Sequence, residues 1–244
     1  MNQLQSGIAD QGYELMHGVY SSEECLQMLS ELNRLFEQEE MVSIRSSRGT
    51  VFAARNVIKI VPEVHAWWQK PRLVERLTYV LGEHFGLVRG LYFDKPSHRS
   101  WSLPFHKDMT IAVKDNRLKS DEFSKPTTKA GVPHVEGSES VLANMLTLRI
   151  HLDAVTDFNG PLQVIPGSHL SGKSTAGYSG QPDVITCEAG DVLAMRPLVS
   201  HASGHSDPAR EMHRRILHLE FAAEEQLADG FQWQDFIRPE IHQR

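Results

Sequence analysis

Hydrophobic positions recur every three to four residues in two early stretches of the chain. The first stretch follows Ser21 and Glu24, which have the spacing of a helix capping box, and its apolar positions are Leu26, Leu29, Leu32, Leu35 and Phe36. The second begins at Pro71, a residue suited to the first position of a helix, and runs towards Gly86 through Leu73, Leu77, Val80 and Leu81. The spacing predicts two amphipathic helices, each of which needs an apolar surface to lie on.

Beyond Gly86 the pattern changes to short runs that are rich in β-branched and aromatic residues. These runs occupy residues 87–93, 109–113, 145–155, 161–165, 183–186, 191–195 and 215–221. Turn-forming residues separate them, notably at 157–160, 166–168 and 189–191. About seven closely spaced strands after two helices predict a mainly β fold, a sandwich or jelly-roll barrel with helices on one outer face.

The same pattern divides the chain into regions of one domain. A length of 244 residues with 40% hydrophobic content suits a single core. We expect a helical N-terminal part at about 20–86, the barrel at about 87–222 and a C-terminal tail at 223–244. Residues 114–143 are polar, contain Pro126 and Pro133, and are predicted to be either a lid over a site or a disordered connection.

Composition excludes several classes of partner. The chain has 25 Lys and Arg against 31 Asp and Glu, a formal net charge of −6, and no basic block, so nucleic acid is not an expected partner. The sequence shows no basic segment followed by an apolar run and no membrane-length apolar stretch, so we expect a cytoplasmic protein without membrane contact. Cys25 and Cys187 are too few for a disulfide framework and are expected to be reduced.

The 13 histidines direct attention to metal binding, because imidazole is a frequent ligand of transition metals. A histidine and an aspartate two positions apart on a strand project from the same face. Three such pairs occur in the chain: His106/Asp108, His151/Asp153 and His205/Asp207. A single pair is weak evidence, since such residues often make ordinary hydrogen bonds.

The order of residues along the chain favours the first pair. A facial triad of two histidines and one carboxylate suits non-haem Fe(II) and needs a second histidine from a distant strand. His201 lies 95 residues after His106, with several predicted strands between them, whereas a start at His151 leaves only 50 residues. The pair at 205 and 207 lies in a polar loop. We therefore predict that His106, Asp108 and His201 form a metal site.

An arginine follows the predicted site at the start of the last strand. Arg214 shares one face of that strand with Ile216, His218 and Glu220. Arg215 shares the other face with Leu217, Leu219 and Phe221. If helices cover the apolar face, Arg214 points into the barrel. There its guanidinium can bind a dicarboxylate through two hydrogen bonds. We favour Arg214 over Arg215 for this role.

Several motifs occur in a characteristic order. They are His106-Lys107-Asp108, the block NGPLQVIPGSH at 159–169, AGDV at 189–192, His201 and Arg214. Together they resemble the phytanoyl-CoA dioxygenase family of Fe(II)/2-oxoglutarate oxygenases, and the similarity spans roughly residues 10–222.

The resemblance implies a double-stranded β-helix fold in which His106, Asp108 and His201 hold Fe(II). It implies that Arg214 binds the distal carboxylate of 2-oxoglutarate, the cosubstrate. O2 would convert this cosubstrate to succinate and CO2 while a small-molecule substrate is hydroxylated, and ascorbate would keep the iron reduced. The resemblance identifies neither the substrate nor the oligomeric state.

Three other functions are compatible with parts of the sequence. Residues 167–174 fit the phosphate-binding pattern GxxxxGK[ST], but glycines and a proline follow them where that loop needs a helix. A cupin-type enzyme without redox chemistry would use the same ligands for zinc or manganese. A binding protein without catalysis would have no reason to keep the whole ligand set. We expect structural roles for His151, with a hydrogen-bond partner, and for His169. Lys95, Trp101 and Arg149 could approach the cosubstrate or the substrate, and a packing or surface role is the alternative for each.

Overall fold

Two antiparallel sheets that face each other form the centre of the molecule. A computed structural model describes residues 7–38, 44–47, 50–96, 101–175 and 180–240. Its strands are β1 (Tyr13–Met16), β2 (Ile44–Ser47), β3 (Thr50–Arg55), β4 (Gly86–Asp94), β5 (Leu103–His106), β6 (Thr110–Ala112), β7 (Ser124–Lys129), β8 (Val132–Glu136), β9 (Met145–His151), β10 (Leu162–Val164), β11 (Asp183–Ile185), β12 (Val192–Met195), β13 (His201–Ser203) and β14 (Arg215–Ala222).

The strand order confirms the predicted jelly-roll class. Seven strands form the larger sheet in the order β1-β12-β9-β14-β4-β3-β2, and four form the smaller sheet in the order β11-β10-β13-β5. The remaining strands form a third sheet in the order β6-β8-β7. Residues of β4, β9 and β14 line one cavity together with residues of β5, β10 and β13, so the barrel interior lies between the two main sheets.

Helices cover the outer face of the larger sheet. They are α1 (Ser22–Gln38), α2 (Val57–Ile60), α3 (Val64–Trp67) and α4 (Pro71–Leu81). A fifth helix, α5 (Glu139–Ala143), belongs to a second core, where Leu142 is buried with Ile111 and Val135. Alternate residues of β9 and β14 pack beneath α1 and α4, in one core that includes Leu32, Leu73, Leu77, Leu148 and Leu219. The intervening residues of the same strands therefore point into the barrel, which gives its interior a polar lining on this side.

The first helix begins as the capping sequence predicts. The Glu24 N–H donates to Ser21 Oγ at 3.2 Å, and the Ser21 N–H donates to Glu24 Oε2 at 2.8 Å. The predicted apolar stripe was wrong at Leu26, which is 66% exposed. Cys25 and Met28 lie on the buried face instead, and Leu26 falls about 100° further round the helix because each residue advances by that angle.

The segment 114–143 is an ordered hairpin followed by a short helix. Strands β7 and β8 pair, and Ala130 and Gly131 connect them with φ values of 50° and 77°, as in a tight two-residue turn. Pro126 and Pro133 lie within these strands, and proline is a weak indicator of strand. The alternative of a disordered connection was therefore wrong.

Other elements also lay outside the predicted pattern. Strands β2 and β3 occur within the stretch 20–86 that we expected to be helical, and β1, β5 and β13 lie outside the predicted runs. In the predicted tail, Phe231 and Trp233 are buried, while residues 241–244 lie outside the described part. Both cysteines are buried free thiols. Within the described ranges, no helix has the length and apolar character needed to cross a membrane.

A close backbone contact fixes the turn before β12. Gly190 has φ +92°, and a Cβ at this position would lie 2.0 Å from the carbonyl oxygen of Tyr20. The Tyr20 N–H donates to the Gly190 carbonyl oxygen at 3.0 Å. This contact joins the segment before α1 to the turn before β12.

We predict that Gly190→Ala lowers the free energy of unfolding by about 2 to 4 kcal/mol, because the new methyl group forces the backbone segments at Gly190 and Tyr20 apart. Gly18→Ala is the matched control, since Gly18 has φ +58° and no atom within 4 Å of the place that a methyl group would occupy. Its loss should be about 1 to 2 kcal/mol. Urea denaturation measures both, and equal losses would contradict the close contact.

Candidate metal centre

The register between β5 and β13 brings two histidines together. His106 ends β5, His201 begins β13, and the two are directly opposite each other in the antiparallel pair. Their ring centroids are 4.3 Å apart. Asp108 follows in the loop, where its N–H donates to the Pro197 carbonyl oxygen at 3.0 Å. One potential ligand atom from each of these three residues lies within 4.8 Å of the others.

Backbone carbonyls orient both imidazoles. Nδ1 of His106 is 2.8 Å from the Pro104 oxygen, and Nδ1 of His201 is 2.9 Å from the Val199 oxygen. Because a carbonyl only accepts, each Nδ1 carries the proton and each neutral ring keeps the lone pair of Nε2 free for a metal. Both Nε2 atoms face Asp108, at 3.9 Å from Oδ1 for His106 and 3.6 Å from Oδ2 for His201.

The electrostatics keep these groups in their metal-binding protonation states. Burial lowers the pKa of His201 to about 4, so its ring is neutral near pH 7. Burial alone would raise the pKa of Asp108, but the neighbouring histidines, His201 first, outweigh it and lower that pKa to about 2. Two imidazoles and one carboxylate fit a divalent transition metal and leave coordination positions open.

A buried lysine anchors the segment between the two ligand candidates. Lys107 is 5% exposed and points away from His106 and Asp108. Its ammonium donates to the Ser168 carbonyl at 2.9 Å, to Ser171 Oγ at 3.1 Å and to the Gly172 carbonyl at 2.5 Å. These acceptors belong to the short 3-10 helix Ser168–Ser171 and to Gly172 at its end. The helix that begins within the PGSH motif therefore holds the segment that contains His106 and Asp108.

The structure separates the two candidate arginines. Arg214 lines the same cavity as the histidines, is 6% exposed, and its Nε and Nη1 have no hydrogen-bond partner in the described part of the chain. Burial lowers the pKa of Arg214 to about 9. Arg215 points the other way and donates to both oxygens of Asp153, at 2.7 and 2.6 Å. The cavity that Arg214 shares with the two histidines is open to solvent.

Three residues for which the sequence left a ligand-contacting or a packing role open also line this cavity: Lys95, Trp101 and Arg149. Lys95 is 1% exposed and donates to Ser203 Oγ at 3.2 Å and to the Gly204 carbonyl at 2.9 Å. Burial, with the charge of Arg214 second, lowers the pKa of Lys95 to about 7. The cavity is therefore more cationic than the sequence suggested.

His151 and His169, for which we expected structural roles, differ in how well those roles hold. His169 Nε2 lies 3.0 Å from the Ala9 carbonyl oxygen, so it supports the loop as expected. The expected hydrogen-bond partner of His151 is absent, because neither of its ring nitrogens has one among the described residues. Burial lowers the pKa of His151 to about 3, which keeps the ring neutral in the barrel interior.

Sequence reasoning missed a polar network on the larger sheet. His218 Nδ1 accepts from Arg149 Nη1 at 3.1 Å, and His218 Nε2 lies 3.1 Å from Glu220 Oε1. Arg89 donates to the same oxygen of Glu220. The alternation of polar residues along β14 was the available signal, but pairing across strands is not visible in local sequence.

Comparison with known proteins assigns the chain to one family. The family model described as phytanoyl-CoA dioxygenase (PhyH) matches residues 8–212, most of the chain. The chain belongs to the phytanoyl-CoA dioxygenase family. No curated protein sequence gives a significant match.

Solved structures with the same fold cover most of this family member. EctD from S. alaskensis, with 2-oxoglutarate and 5-hydroxyectoine, is 16% identical with a TM-score of 0.68, over 91% of this chain and 76% of EctD. The non-heme alpha ketoglutarate dependent epimerase SnoN from nogalamycin biosynthesis is 19% identical with a TM-score of 0.64, over 89% and 78%. The carbocyclase SnoK from the same biosynthesis is 15% identical with a TM-score of 0.64, over 99% and 88%.

The phosphate-binding pattern at 167–174 has a structural role in this member of the family. Lys173 forms an ion pair with Glu136 Oε1 at 2.5 Å and donates to the Gly137 carbonyl at 3.1 Å, so it ties the loop to β8. Glu139 carboxylate oxygens would lie 2.2 and 2.3 Å from a Cβ at Gly172. The loop folds into the 3-10 helix, and residues 176–179 beyond it lie outside the described part.

We predict that Lys107→Met weakens metal binding roughly tenfold, because its three acceptors no longer hold the segment that carries His106 and Asp108. Lys114→Met is the control, since Lys114 is exposed and its ammonium donates to Gln232 Oε1 at 3.1 Å, away from the metal site. Titration with Zn(II) against a competing chelator measures both affinities. An unchanged affinity in Lys107→Met would contradict the anchoring role.

Proposed function

We propose that this member of the phytanoyl-CoA dioxygenase family is a non-haem Fe(II)/2-oxoglutarate-dependent oxygenase. His106, Asp108 and His201 hold the iron, and Arg214 binds the distal carboxylate of 2-oxoglutarate. The observation that carries the proposal is the convergence of two oriented imidazoles and a carboxylate in a cavity that also contains a buried guanidinium without a carboxylate partner in the described residues.

The residues of the chain bind, orient and shield, while iron and 2-oxoglutarate supply the oxidising chemistry with O2. The carbonyls of Pro104 and Val199 hold the Nδ1 protons, so both rings present Nε2 throughout the reaction. Arg214 presents its fork of N–H donors in a buried position, where hydrogen bonds to a carboxylate are strong. Apolar side chains, among them Leu91 and Ile216, reduce the access of water.

The reaction that we propose is hydroxylation of a small molecule, with release of succinate and CO2. Support comes from the family and from EctD, whose structure contains 2-oxoglutarate and 5-hydroxyectoine. O2 is the oxidant in this proposal, and ascorbate keeps the iron reduced. The cytoplasmic location stays a prediction from the sequence.

The alternative of a zinc or manganese enzyme of cupin type uses the same three ligands. Imidazole and carboxylate do not by themselves select iron. The unpartnered guanidinium of Arg214 favours the oxygenase, because a dicarboxylate cosubstrate gives that buried cation a partner. Succinate formation from 2-oxoglutarate that requires Fe(II) and O2, and that Zn(II) and Mn(II) do not support, tests the proposal. Turnover with zinc and without O2 would contradict it.

We predict that Asp108→Asn lowers iron affinity by at least about tenfold and abolishes succinate formation, because the neutral amide is a poor metal ligand. Asp207→Asn is a matched control, since Asp207 has the same spacing from a histidine but pairs with Arg210 on the surface at 3.6 Å. Equilibrium dialysis of iron and far-UV circular dichroism measure binding and folding. Full activity in Asp108→Asn would exclude Asp108 as a ligand.

The two arginines should separate by their effects on 2-oxoglutarate. Arg214→Met removes charge-assisted hydrogen bonds worth about 1.5 to 3 kcal/mol and should raise the KM for 2-oxoglutarate roughly 10- to 100-fold. Arg215→Met should leave that KM within about twofold and lower stability instead, since it breaks the pair with Asp153. Succinate assays at varied 2-oxoglutarate measure both. The opposite ranking would move the carboxylate site to Arg215.

A further inference from the structure

The cavity wall carries more positive charge than the proposed metal and cosubstrate require. Among the charged residues that line it are Arg89, Lys95, Arg149 and Arg214, against the single carboxylate of Asp108. Arg89 pairs with Glu220 behind the wall, so these two charges cancel. A divalent iron and a doubly charged 2-oxoglutarate also cancel. An excess of one or two positive charges therefore remains, depending on whether Lys95 is protonated.

Arg149 is the cation that the proposed function leaves without a partner. It is 8% exposed, its Nε is buried without a hydrogen bond, and no carboxylate in the described residues lies within ion-pair distance. Its Nη1 donates to His218 Nδ1 at 3.1 Å, which is a bond to a neutral ring. A buried guanidinium without an anion is unfavourable, so the site is built for an anion that arrives from solution.

The network on β14 holds Arg149 without neutralising it. Because His218 Nδ1 accepts from Arg149, the proton of the neutral ring lies on Nε2, which donates to Glu220 at 3.1 Å. The charge of Glu220 is matched by Arg89. The imidazole thus acts as a neutral spacer that fixes the guanidinium in place and leaves its charge free.

Arg149 and Arg214 occupy different levels of the barrel. Arg149 on β9 is directly opposite His218 on β14, and Arg214 lies four residues before His218. Four residues of strand span about 13 Å, so the two side chains start from well-separated backbone positions, although their guanidinium charges are close enough to interact. Arg149 also lies close enough to Asp108 for the two charges to interact. One guanidinium can serve the cosubstrate while the other faces a second ligand near the metal.

From these observations we infer that the primary substrate is an anionic small molecule whose carboxylate or phosphate group binds Arg149, at a position separate from the 2-oxoglutarate site. This inference rests on the proposed function, because it assumes that Arg214 serves the cosubstrate. The exposed apolar side chain of Leu103 on the edge strand β5 lines the same cavity and suits contact with an apolar portion of the same molecule.

The test measures anion binding while the cosubstrate site is filled. Protein loaded with Zn(II), which is redox-inert, and saturated with 2-oxoglutarate is titrated calorimetrically with hexanoate, hexyl phosphate and the neutral hexanamide. We expect at least one of the two anions to bind ten times or more tightly than hexanamide. Preference for hexanoate identifies a carboxylate substrate, and preference for hexyl phosphate identifies a phosphate substrate. Equal binding of all three probes would overturn the inference.

Arg149→Met should reduce the preference for the anion to twofold or less while the affinity for 2-oxoglutarate changes less than threefold. Arg214→Met should weaken the affinity for 2-oxoglutarate and keep the preference for the anion. If Arg149→Met weakens 2-oxoglutarate tenfold and keeps the anion preference, Arg149 belongs to the cosubstrate site and the inference is wrong.

A competition experiment with the wild-type protein keeps the inference testable if Arg149→Met does not fold. Raising 2-oxoglutarate from saturation to tenfold above it should leave the affinity of the preferred anion unchanged, and displacement of the anion would show a single shared site. Failure of the wild-type protein to bind 2-oxoglutarate would contradict the proposed function. Normal 2-oxoglutarate binding without anion preference would contradict only the present inference.

Discussion

The antiparallel register of β5 against β13 is the constraint on which the rest of the site depends. It places His106 directly opposite His201 across two short strands of the smaller sheet. A shift by one residue would turn one of the imidazoles out of the barrel, since successive side chains of a strand point to opposite faces. The backbone carbonyls that orient the rings come from the same segments, so register fixes both the position and the tautomer of each histidine.

Burial of charge explains the remaining organisation of the interior. The larger sheet gives its apolar face to the helices and its polar face to the barrel, so the arginines that point inward lose contact with water. Arg89 finds Glu220 within the protein, whereas Arg149 and Arg214 do not find a carboxylate among the described residues. Buried cations of this kind are unfavourable until anions bind, and on this ground we infer that the cavity selects acidic ligands.

Particular residues show how far the sequence alone predicts this structure. The capping pair Ser21 and Glu24 and the alternation along β14 depend on local spacing, which a sequence displays directly. The order of the metal-ligand candidates along the chain is displayed by the sequence as well. The hairpin with Pro126 and Pro133 contradicts the usual strand composition, and pairing with neighbouring strands and the burial of Val135 stabilise it. The contact between Arg149 and His218 arises from residues 69 positions apart, so no local pattern indicates it. For the same reason the sequence did not reveal how many cations share the cavity.

An anaerobic titration of the protein with Fe(II) and 2-oxoglutarate, followed by visible absorption, tests the metal ligands and the cosubstrate site together. We expect a charge-transfer band that appears only when both are present and saturates at one iron per chain, because the ligands and Arg214 share one cavity. Iron binding without this band at saturating 2-oxoglutarate would show that the two do not meet in that cavity. If His201→Ala shows the same band and binds Fe(II) with undiminished affinity, that result would equally contradict the proposed site.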